Sequence, residues 1–374
     1  MSTAPTLFDR SGTQYQLTER RWRGDDGSPL MITDLPGMRR GQIDGAVNSQ
    51  WRYSAALPLS LEPVTLGEGR TPLLPRSLSG HQVLLKMEPI NPTASFKDRG
   101  TSVMISMLRS QGVEALLEDS SGNGGSSVAA YAAAAGIDAK ILAPKSTSPS
   151  KILQSRIHGA AVELVAGGRQ NTADEALRRS AERFYASHNW HPFFLQGIKL
   201  IAYEIWEDLG FSAPAAVAMP AGAGSLVLGC WMGFSELLRS GEIDHLPRLL
   251  VAQPEACSPL VSAFASGAEA VEPATWRPTL AEGTAIAQPV RDREVLQAVY
   301  QSQGAMTAVP EESLIPAARR LARTGIYAEP TSAQVLVAVE QFTQQGQIGD
   351  KDVVVAILTG SGLKAAPSME KLLS

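Results

Sequence analysis

The segment Glu88-Pro-Ile-Asn-Pro-Thr-Ala-Ser-Phe-Lys97-Asp-Arg-Gly100 gives the clearest indication of the fold and its chemistry. The apolar run at 83–87 precedes it and predicts a strand. A turn rich in Pro, Asn and Ser follows, and Lys97 stands where a helix is predicted to begin. The positive end of a helix dipole favours a neutral amine, which is the form that attacks a carbonyl group. The segment therefore predicts a lysine suited to imine chemistry, although a lysine taken alone is more often an ordinary surface residue.

Three further turns rich in Gly, Ser or Thr are predicted after strands, at 120–127, 219–226 and 358–364. Glycines let backbone amides approach an anion or a flat ring closely, and a helix N-terminus binds phosphate. The turn at 219–226 matches neither the GxGxxG spacing nor the P-loop of nucleotide-binding proteins. Each turn taken singly is also consistent with a simple tight connection between elements.

The order of the predicted elements indicates an α/β fold. Short β-branched or Leu-rich runs alternate with Ala-rich helical segments from residue 64 onward, as in proteins with parallel sheets. The chain has 374 residues. Because one ordinary domain has ~100–200 residues, two domains are expected. Residues 1–60 are Arg-rich without a sustained period, which predicts an irregular arm.

Composition argues against several classes of protein. Lys and Arg total 33 and Asp and Glu total 37, so no basic excess exists to bind nucleic acid. No run of ~18 apolar residues predicts a membrane span, and residues 1–14 do not resemble a signal peptide. The only two cysteines, Cys230 and Cys257, argue against a disulfide framework and indicate a cytoplasmic location.

Taken together, the four turns resemble those of the threonine synthases, which are fold-type II enzymes dependent on pyridoxal 5′-phosphate (PLP). Residues 91–100 are similar to the family's NPTGSFKDRG, with Ala94 in place of Gly. Residues 66–69 (LGEG) and 71–73 (TPL) look like the family's N-terminal signature, and 359–364 (TGSGLK) like its tail. The resemblance covers roughly residues 50–365.

The resemblance implies an α/β fold of two domains with twisted, mostly parallel sheets and PLP in the cleft between them. The expected parts are an N-terminal arm at 1–65, a large domain at 66–101 plus 191–374, and a small domain at 102–190. Many threonine synthases have cysteine pairs near the N-terminus, but residues 15–24 contain none, so no metal is expected.

The resemblance also implies roles in cofactor binding. Lys97 would bond to PLP as an imine and move the proton of the substrate, and Asn123 would bond the 3′-hydroxyl of PLP. The backbone amides that would hold the cofactor phosphate belong to Gly222, Ala223, Gly224 and Ser225. Thr359 would lie opposite the pyridine nitrogen. Because a neutral hydroxyl permits an unprotonated ring, this arrangement favours elimination or replacement over transamination.

Substrate binding is where the sequence departs from the family. Thr93, Ser121 and Gly122 would help to hold the substrate carboxylate. Threonine synthases carry a segment similar to NSVNPHRLEGQKT, whose Ser and Arg hold the phosphate of O-phosphohomoserine. Here Asn189 stands at the serine position and Phe194 at the arginine position.

A phenyl ring cannot pair with a phosphate dianion, so Phe194 indicates a less charged substrate. Phe194 is alternatively a core residue. Lys199 remains as a cationic substrate ligand, and Lys151 or Arg156 could add positive charge.

The predicted function is that of a PLP-dependent lyase of threonine synthase type, which eliminates or replaces a β or γ substituent of a small L-amino acid. A homodimer is expected. The alternatives are a true threonine synthase acting on O-phosphohomoserine, a serine/threonine ammonia-lyase, and a β-replacement synthase. A non-catalytic PLP carrier is a further alternative, but it would not need Lys97, Asn123 and Thr359 together.

Overall fold

The computed structural model describes residues 4–78, 81–147 and 149–373. Strands and helices alternate over most of these ranges, as the sequence predicts. The strands are β1 (Thr6–Phe8), β2 (Gln14–Gln16), β3 (Met31–Ile32), β4 (Leu73–Leu78), β5 (His81–Met87), β6 (Ala115–Glu118), β7 (Asp138–Pro144), β8 (Ala161–Val165), β9 (Phe184–Tyr185), β10 (Ala216–Pro220), β11 (Arg248–Pro254), β12 (Ala305–Val309) and β13 (Val354–Leu358). The helices are α1 (Lys97–Ser110), α2 (Asn123–Ala135), α3 (Pro149–Ile157), α4 (Arg169–Arg179), α5 (Pro192–Ile198), α6 (Leu200–Asp208), α7 (Ser225–Arg239), α8 (Pro259–Ala265), α9 (Asp292–Gln301), α10 (Glu311–Arg323), α11 (Pro330–Gln344) and α12 (Ala366–Glu370).

The chain forms two compact units. Unit 1 combines Met1–Pro36, Gln42–Glu68 and Lys97–Ile198. Unit 2 combines Gly37–Gly41, Gly69–Phe96 and Lys199–Ser374. The domain bounds expected from the sequence, including the separate arm at 1–65, stay a prediction.

Unit 1 contains a parallel sheet with the strand order β8-β7-β6-β9. Its core includes Leu117 and Leu142 from the two central strands, together with Ala176 of α4 and Tyr185 of β9. A second, antiparallel sheet of order β2-β1-β3 lies in the N-terminal segment. The expectation that residues 1–60 are irregular misses this small sheet, because strands of two or three residues are too short to show a period in the sequence.

Unit 2 contains a six-stranded sheet of order β12-β11-β10-β13-β5-β4, in which only β4 runs antiparallel to its neighbour. Every residue of β10 and β13 is buried, which explains their continuous apolar sequences. Parallel strands end at the same edge of a sheet. The turn at 91–96, the loop at 221–224 and the tail at 359–364 follow β5, β10 and β13 there.

The sequence pattern predicts one continuous helix over 171–186 and another over 197–209, and the structure differs from both predictions. The helix expected over 171–186 ends at Arg179, and strand β9 occupies Phe184–Tyr185. The helix expected over 197–209 is two helices, α5 and α6. Within the ranges given above, none of the helices is long and apolar enough to cross a membrane.

Candidate functional site

Lys97 is the first residue of α1 in unit 1, and its side chain is partly exposed. Its Nζ lies 5.7 Å from the centroid of the Phe194 ring. The start of α1 is tied to α2, because Ser127 Oγ lies 2.6 Å from Asp98 Oδ1 and 2.9 Å from Thr101 Oγ1. The hydroxyl of Ser127 thus fixes Lys97 relative to the helix that Asn123 begins.

The loop 120–123 leads into α2, whose first residue is Asn123, and Ser121, Gly122 and Asn123 are all partly exposed. The loop folds tightly over the helix it begins. A Cβ atom on Gly125 would lie 1.8 Å from the carbonyl oxygen of Ser120, so only glycine fits there. The close turn leaves the N-terminus of α2 next to partly exposed hydroxyl and amide groups, an arrangement that can bind an anionic or polar ligand.

Phe194 lies in α5 and is fully buried. Its ring packs against the backbone of α1, since a Cβ atom on Gly100 would lie 2.6 Å from the ring. A Cβ atom on Gly197 would lie 2.1 Å from the carbonyl oxygen of Arg99, so α5 and α1 approach closely. The structure therefore places Phe194 both in the core and beside Lys97. Asn189 is partly buried in the segment before α5.

A buried acidic pair, Glu118 and Asp119, precedes the loop 120–123. Asp119 forms an ion pair with Arg169 at 2.6 Å and accepts a hydrogen bond from Tyr185 at 2.9 Å. Glu118 Oε2 accepts the backbone N–H of His188 at 3.0 Å, and Glu118 Oε1 lies 3.1 Å from Nδ1 of His188. The acidic stretch is visible in the sequence, but its histidine partner is not.

The protonation of this cluster follows from burial and neighbouring charge. Burial, and then the charge of Asp119, raises the pKa of Glu118 well above 4.5. Burial also acts to raise the pKa of Asp119, but the Arg169 guanidinium outweighs it and holds that pKa below its usual value. Burial, followed by the charge of Lys97, lowers the pKa of His188 well below 6.5. Neutral forms are therefore favoured for Glu118 and His188, and the ionised form for Asp119.

The loop Gly222–Gly224 lies in unit 2, between β10 and α7, and Ser225 is the first residue of α7. Gly224 has φ +85°, and a Cβ atom there would lie 2.2 Å from Cγ2 of Val295. A Cβ atom on Gly222 would lie 3.0 Å from the carbonyl oxygen of Gly283. The loop thus requires glycine for both its conformation and its packing.

The loop also offers free hydrogen-bond donors. Among the residues that the structure describes, none accepts a hydrogen bond from the N–H groups of Gly222, Ala223 or Gly224. The N–H of Ser225 has no partner within its own helix, because it belongs to the first turn. Unpaired N–H groups at the positive end of α7 are the donors that a phosphate group requires.

The turn before Lys97 pairs with the tail after β13, within unit 2. The N–H of Phe96 donates to the carbonyl oxygen of Thr359 at 3.0 Å, and Ser361 N–H to that of Ala94 at 3.0 Å. Lys364 Nζ donates to the carbonyl oxygen of Thr93 at 2.7 Å, and Thr93 is buried. The hydroxyl of Ser95 is buried without a hydrogen-bond partner, so this turn contains a polar group that a ligand could satisfy.

The conformation of this turn is held by buried polar side chains that the sequence did not indicate. Asn91 Oδ1 accepts the N–H of Gly69 at 3.0 Å, and Asn91 Nδ2 donates to Glu88 Oε2 at 2.8 Å. The Thr71 hydroxyl donates to Glu88 Oε1 at 2.7 Å. The Glu88 carboxylate therefore joins the turn to residues 69–71.

Thr359 is buried, and its hydroxyl lies 3.0 Å from Ser332 Oγ and 3.4 Å from Glu329 Oε1. Ser332 Oγ also accepts the N–H groups of Thr359 and Gly360, at 2.9 and 3.0 Å. Ser332 and Glu329 were missed from the sequence. The only signal for them is a Glu-Pro-Thr-Ser run at the start of α11.

Lys199 has no accessible charge in the structure of unit 2. It is fully buried, and its Nζ forms an ion pair with Glu236 Oε1 at 2.7 Å. The other Glu236 oxygen accepts a hydrogen bond from Tyr203 at 2.7 Å. Burial lowers the pKa of Lys199 and raises that of Glu236, and the contact between them opposes both shifts. The expected substrate ligand Lys199 thus serves an internal ion pair.

These residues fit PLP when each unit is considered by itself. Unit 2 supplies unpaired backbone donors in a loop whose glycines leave no room for a Cβ atom, and it supplies the unpartnered Ser95 hydroxyl. Unit 1 supplies a partly exposed amine at Lys97 and an amide at Asn123. No group of three or more His, Cys, Asp or Glu side chains suited to a metal ion occurs in the described ranges.

Comparison with known proteins agrees with this chemistry. Threonine synthase from Methanocaldococcus jannaschii is 35% identical over 324 residues, which cover 84% of this chain and 80% of that protein. Threonine synthase from Mycobacterium leprae is 34% identical over 322 residues, 83% of this chain and 87% of that one.

Solved structures are also similar. A threonine deaminase from T.th. has a TM-score of 0.66 and 27% identity, covering 78% of this chain and 92% of that chain. An L-serine ammonia-lyase from Rhizomucor miehei has a TM-score of 0.70 at 21% identity, covering 83% and 100% of the two chains, and shows the fold alone.

The family model described as "Pyridoxal-phosphate dependent enzyme" matches residues 64–360, which include the first three turns and the beginning of the fourth. The match spans most of the 374 residues and agrees with the donors found at the glycine loop and with the amine of Lys97. The fold is that of fold-type II, the cofactor is PLP, and the relatives named above are threonine synthases. The chain therefore belongs to the family of pyridoxal-phosphate-dependent enzymes, as a lyase similar to the threonine synthases.

Proposed function

We propose that the enzyme eliminates or replaces a β or γ substituent of a small L-amino acid whose side chain carries little charge. The observation that carries this proposal is the position of Phe194. Its buried ring lies beside Lys97 Nζ, where the resemblance to threonine synthases leads us to expect a phosphate-binding arginine. A phosphate dianion placed against an aromatic ring would lose its water without gaining a charged partner.

The proposed cofactor ligands come from the four turns. PLP, when bound, withdraws electrons from the α-carbon of an amino acid, which is what allows a substituent to leave. Lys97 would bond the cofactor and hold the α-proton, and Asn123 would bond its 3′-hydroxyl. The backbone amides proposed for the cofactor phosphate are those of Gly222, Ala223, Gly224 and Ser225. Thr359 would face the ring nitrogen, with Ser332 holding its hydroxyl.

The proposed substrate ligands are Thr93, Ser121 and Gly122 for the carboxylate, with Phe194 beside the amine of Lys97. Lys199 is left out of this set, because Glu236 already pairs with its ammonium group. Removing that partner would leave a buried charge uncompensated. A phosphorylated substrate would therefore lack the cation expected at position 194 and could not gain one from Lys199.

A serine/threonine ammonia-lyase is the alternative best supported. One similar solved structure, at 27% identity, is named a threonine deaminase. A true threonine synthase, which would act on O-phosphohomoserine, is supported by the names of the relatives and opposed by Phe194. A β-replacement synthase needs a second nucleophile, for which we find no specific support.

The test is a comparison of kcat/KM for serine, threonine and O-phosphohomoserine. A lost charge-assisted hydrogen bond costs ~1.5–3 kcal/mol, so two lost contacts should disfavour O-phosphohomoserine by ~100-fold or more. Phe194→Arg should reduce the preference for serine and threonine over O-phosphohomoserine in kcat/KM. Phe194→Leu, in which the side chain stays apolar, should leave that preference unchanged. Efficient threonine formation from O-phosphohomoserine by the wild type would refute the proposal. It would show instead that the enzyme is a true threonine synthase.

We also propose that the enzyme is a cytoplasmic homodimer. Cys230 and Cys257 are both buried thiols that are not joined in a disulfide, which suits a reducing compartment. Sedimentation analysis of the purified protein would test the dimer, and a monomer at micromolar concentration would contradict it.

A further inference from the structure

The proposed elimination requires a proton donor for the group that leaves. When a carbon–hydroxyl bond breaks, the oxygen keeps the electron pair and must also take a proton, because hydroxide is a poor leaving group. A phosphate or halide group leaves without this help. The need for the donor rests on the proposed function, in which the substrate carries an uncharged substituent such as a hydroxyl.

The imidazole of His188 is placed beside the loop 120–123 and near Lys97. A Cβ atom on Gly124 would lie 2.8 Å from Cε1 of His188, so the ring touches the start of α2. The ring centroid lies 5.7 Å from that of Phe194, the same ring whose centroid is 5.7 Å from Lys97 Nζ. His188 and Lys97 therefore flank one aromatic ring within unit 1.

The two nitrogens of this imidazole have different surroundings. Nδ1 lies 3.1 Å from Glu118 Oε1. Across the part of the chain that the structure describes, Nε2 has no hydrogen-bond partner. It is nevertheless slightly exposed, since it is not among the fully buried unpaired atoms. The side chain of His188 is 8% exposed. Because Nδ1 contacts Glu118, Nε2 is the nitrogen that can contact a ligand. A histidine held by a carboxyl group at one nitrogen and open at the other is arranged for proton transfer.

We propose that Nε2 of His188 donates a proton to the leaving group of the substrate and that Glu118 restores it. The departing oxygen takes the Nε2 proton and the electron pair of the broken carbon–oxygen bond, and so leaves as water. The Glu118 proton moves to Nδ1, and Glu118 becomes a carboxylate. The backbone N–H groups of Asp119 and His188, both at 3.0 Å, already donate to that carboxylate. A proton from water then returns the pair to its first state, and the hydroxide that remains is neutralised by the proton that Lys97 took from the α-carbon.

The charges around the pair support this starting state. Burial raises the pKa of Glu118, and burial with Lys97 lowers that of His188. Asp119, ionised against Arg169, opposes the effect of Lys97 on His188. A neutral imidazole that accepts from protonated Glu118 at Nδ1 carries its own proton on Nε2. The donor is therefore loaded before the substrate binds.

The test compares two leaving groups, the hydroxide of serine and the chloride of β-chloro-L-alanine, since chloride needs no proton. His188→Gln should slow serine elimination ~100- to 10,000-fold but change chloride elimination by no more than about threefold. Glu118→Gln, which keeps a polar side chain but has no proton to pass to Nδ1, should show the same dependence on leaving group. His191→Gln is the matched control, because His191 packs against Phe184 and Phe193. It should affect both substrates equally.

The outcomes separate the two proposals. A wild type that eliminates neither compound would refute the proposed function. A wild type that eliminates chloride but not hydroxide, or a His188→Gln enzyme slowed equally on both, would overturn the donor role alone. A second measurement is independent of turnover: ¹⁵N-histidine spectra of the substrate-free enzyme at pH 7 should show a neutral His188 ring with its proton on Nε2. An unprotonated Nε2 would also overturn the donor role.

Discussion

Each unit carries a loop at the start of a buried helix, and the two loops differ in chemistry. In unit 1, the loop 120–123 follows Glu118 and Asp119 and lies beside His188. In unit 2, the loop Gly222–Gly224 has no ionisable side chain and offers only backbone N–H groups before α7. The first loop therefore has ionisable side chains next to it, whereas the second loop binds only through groups that do not titrate.

This difference corresponds to two tasks. A phosphate that stays bound through turnover is best held by fixed dipoles, because backbone amides keep their donors at every pH. Moving a proton requires groups whose protonated and neutral forms are close in free energy, and burial with paired charges provides them. The comparison predicts that changes in the loop Gly222–Gly224 alter cofactor binding and that changes at Glu118 or His188 alter turnover.

The largest effect is expected at Lys97, where both tasks meet. Lys97→Ala should lower turnover by ~10,000-fold or more, because the covalent and proton-transfer roles are lost together. Borohydride treatment of the wild type, followed by peptide mass spectrometry, should find the cofactor fixed on Lys97. The buried Lys199 is the matched control, and Lys199→Met should still be labelled at Lys97. Labelling of another lysine in the wild type would contradict the mechanism.

The next largest effect concerns the glycine loop of unit 2. In Gly224→Ala the new methyl group would meet Val295 at 2.2 Å while the backbone stays at φ +85°. Overpacking costs ~1–3 kcal/mol and the left-handed conformation ~1–2 kcal/mol, so PLP affinity should fall ~10-fold or more.

The control is Gly241, near the other end of α7. Gly241 has φ +75°, but a Cβ atom there has open space around it. Gly241→Ala should therefore pay the conformational cost without changing PLP affinity, measured by titration of the cofactor-free protein. Equal losses of affinity in the two variants would show that the loop does not bind the phosphate.

A third prediction concerns how His188 and Glu118 make the free energy of unfolding depend on pH. The pKa of His188 is lowered from 6.5, so below pH 6.5 the unfolded chain binds a proton that the folded chain does not. The contribution of His188 to folding stability is therefore present above pH 6.5 and is lost as the pH falls below that value. The pKa of Glu118 is raised from 4.5, so its contribution is present at low pH and is lost as pH rises above 4.5. Between pH 4.5 and 6.5 the two slopes oppose each other.

The contribution of His188 to the pH dependence can be measured by urea unfolding of the wild type and of His188→Gln. As pH falls below 6.5, the wild type should lose stability relative to the variant by about 1.4 kcal/mol per pH unit. Asp119, Arg169 and Lys97 face the same cluster and are retained in both proteins. A difference in stability that is constant over this range would show that His188 is not buried in its neutral form.

Local patterns explain what the sequence could predict. Helix α1 begins at Lys97, as predicted, because a strand, a turn and a helix follow one another within about 30 residues. The glycine loop before α7 was found for the same reason. The pairing of Glu118 with His188 joins residues 70 apart, and that of Lys199 with Glu236 joins residues 37 apart. Such pairs depend on tertiary packing, which local sequence patterns do not show. For this reason the sequence analysis gave His188 no role and predicted Lys199 as a substrate ligand.

The smallest effect is expected at Ala94, in the turn before Lys97. The family resemblance expects Gly at this position, and Ala94 has φ +67° in the structure. A left-handed conformation costs an alanine ~1–2 kcal/mol, whereas glycine adopts it freely but gains ~0.5–1 kcal/mol of entropy in the unfolded chain. Ala94→Gly should therefore raise the free energy of unfolding by about 0.5–1 kcal/mol.

The control is Gly241→Ala, the reverse change at a position with similar backbone conformation and no packing contact, which should lower stability by a similar amount. Both are measured by urea unfolding with PLP bound. Because the carbonyl of Ala94 accepts the N–H of Ser361, the turn should keep its pairing with the tail in the variant. Kinetics with serine should then change by less than about twofold. A loss of stability in Ala94→Gly would mean that the Ala94 methyl group makes packing contacts that outweigh its backbone strain.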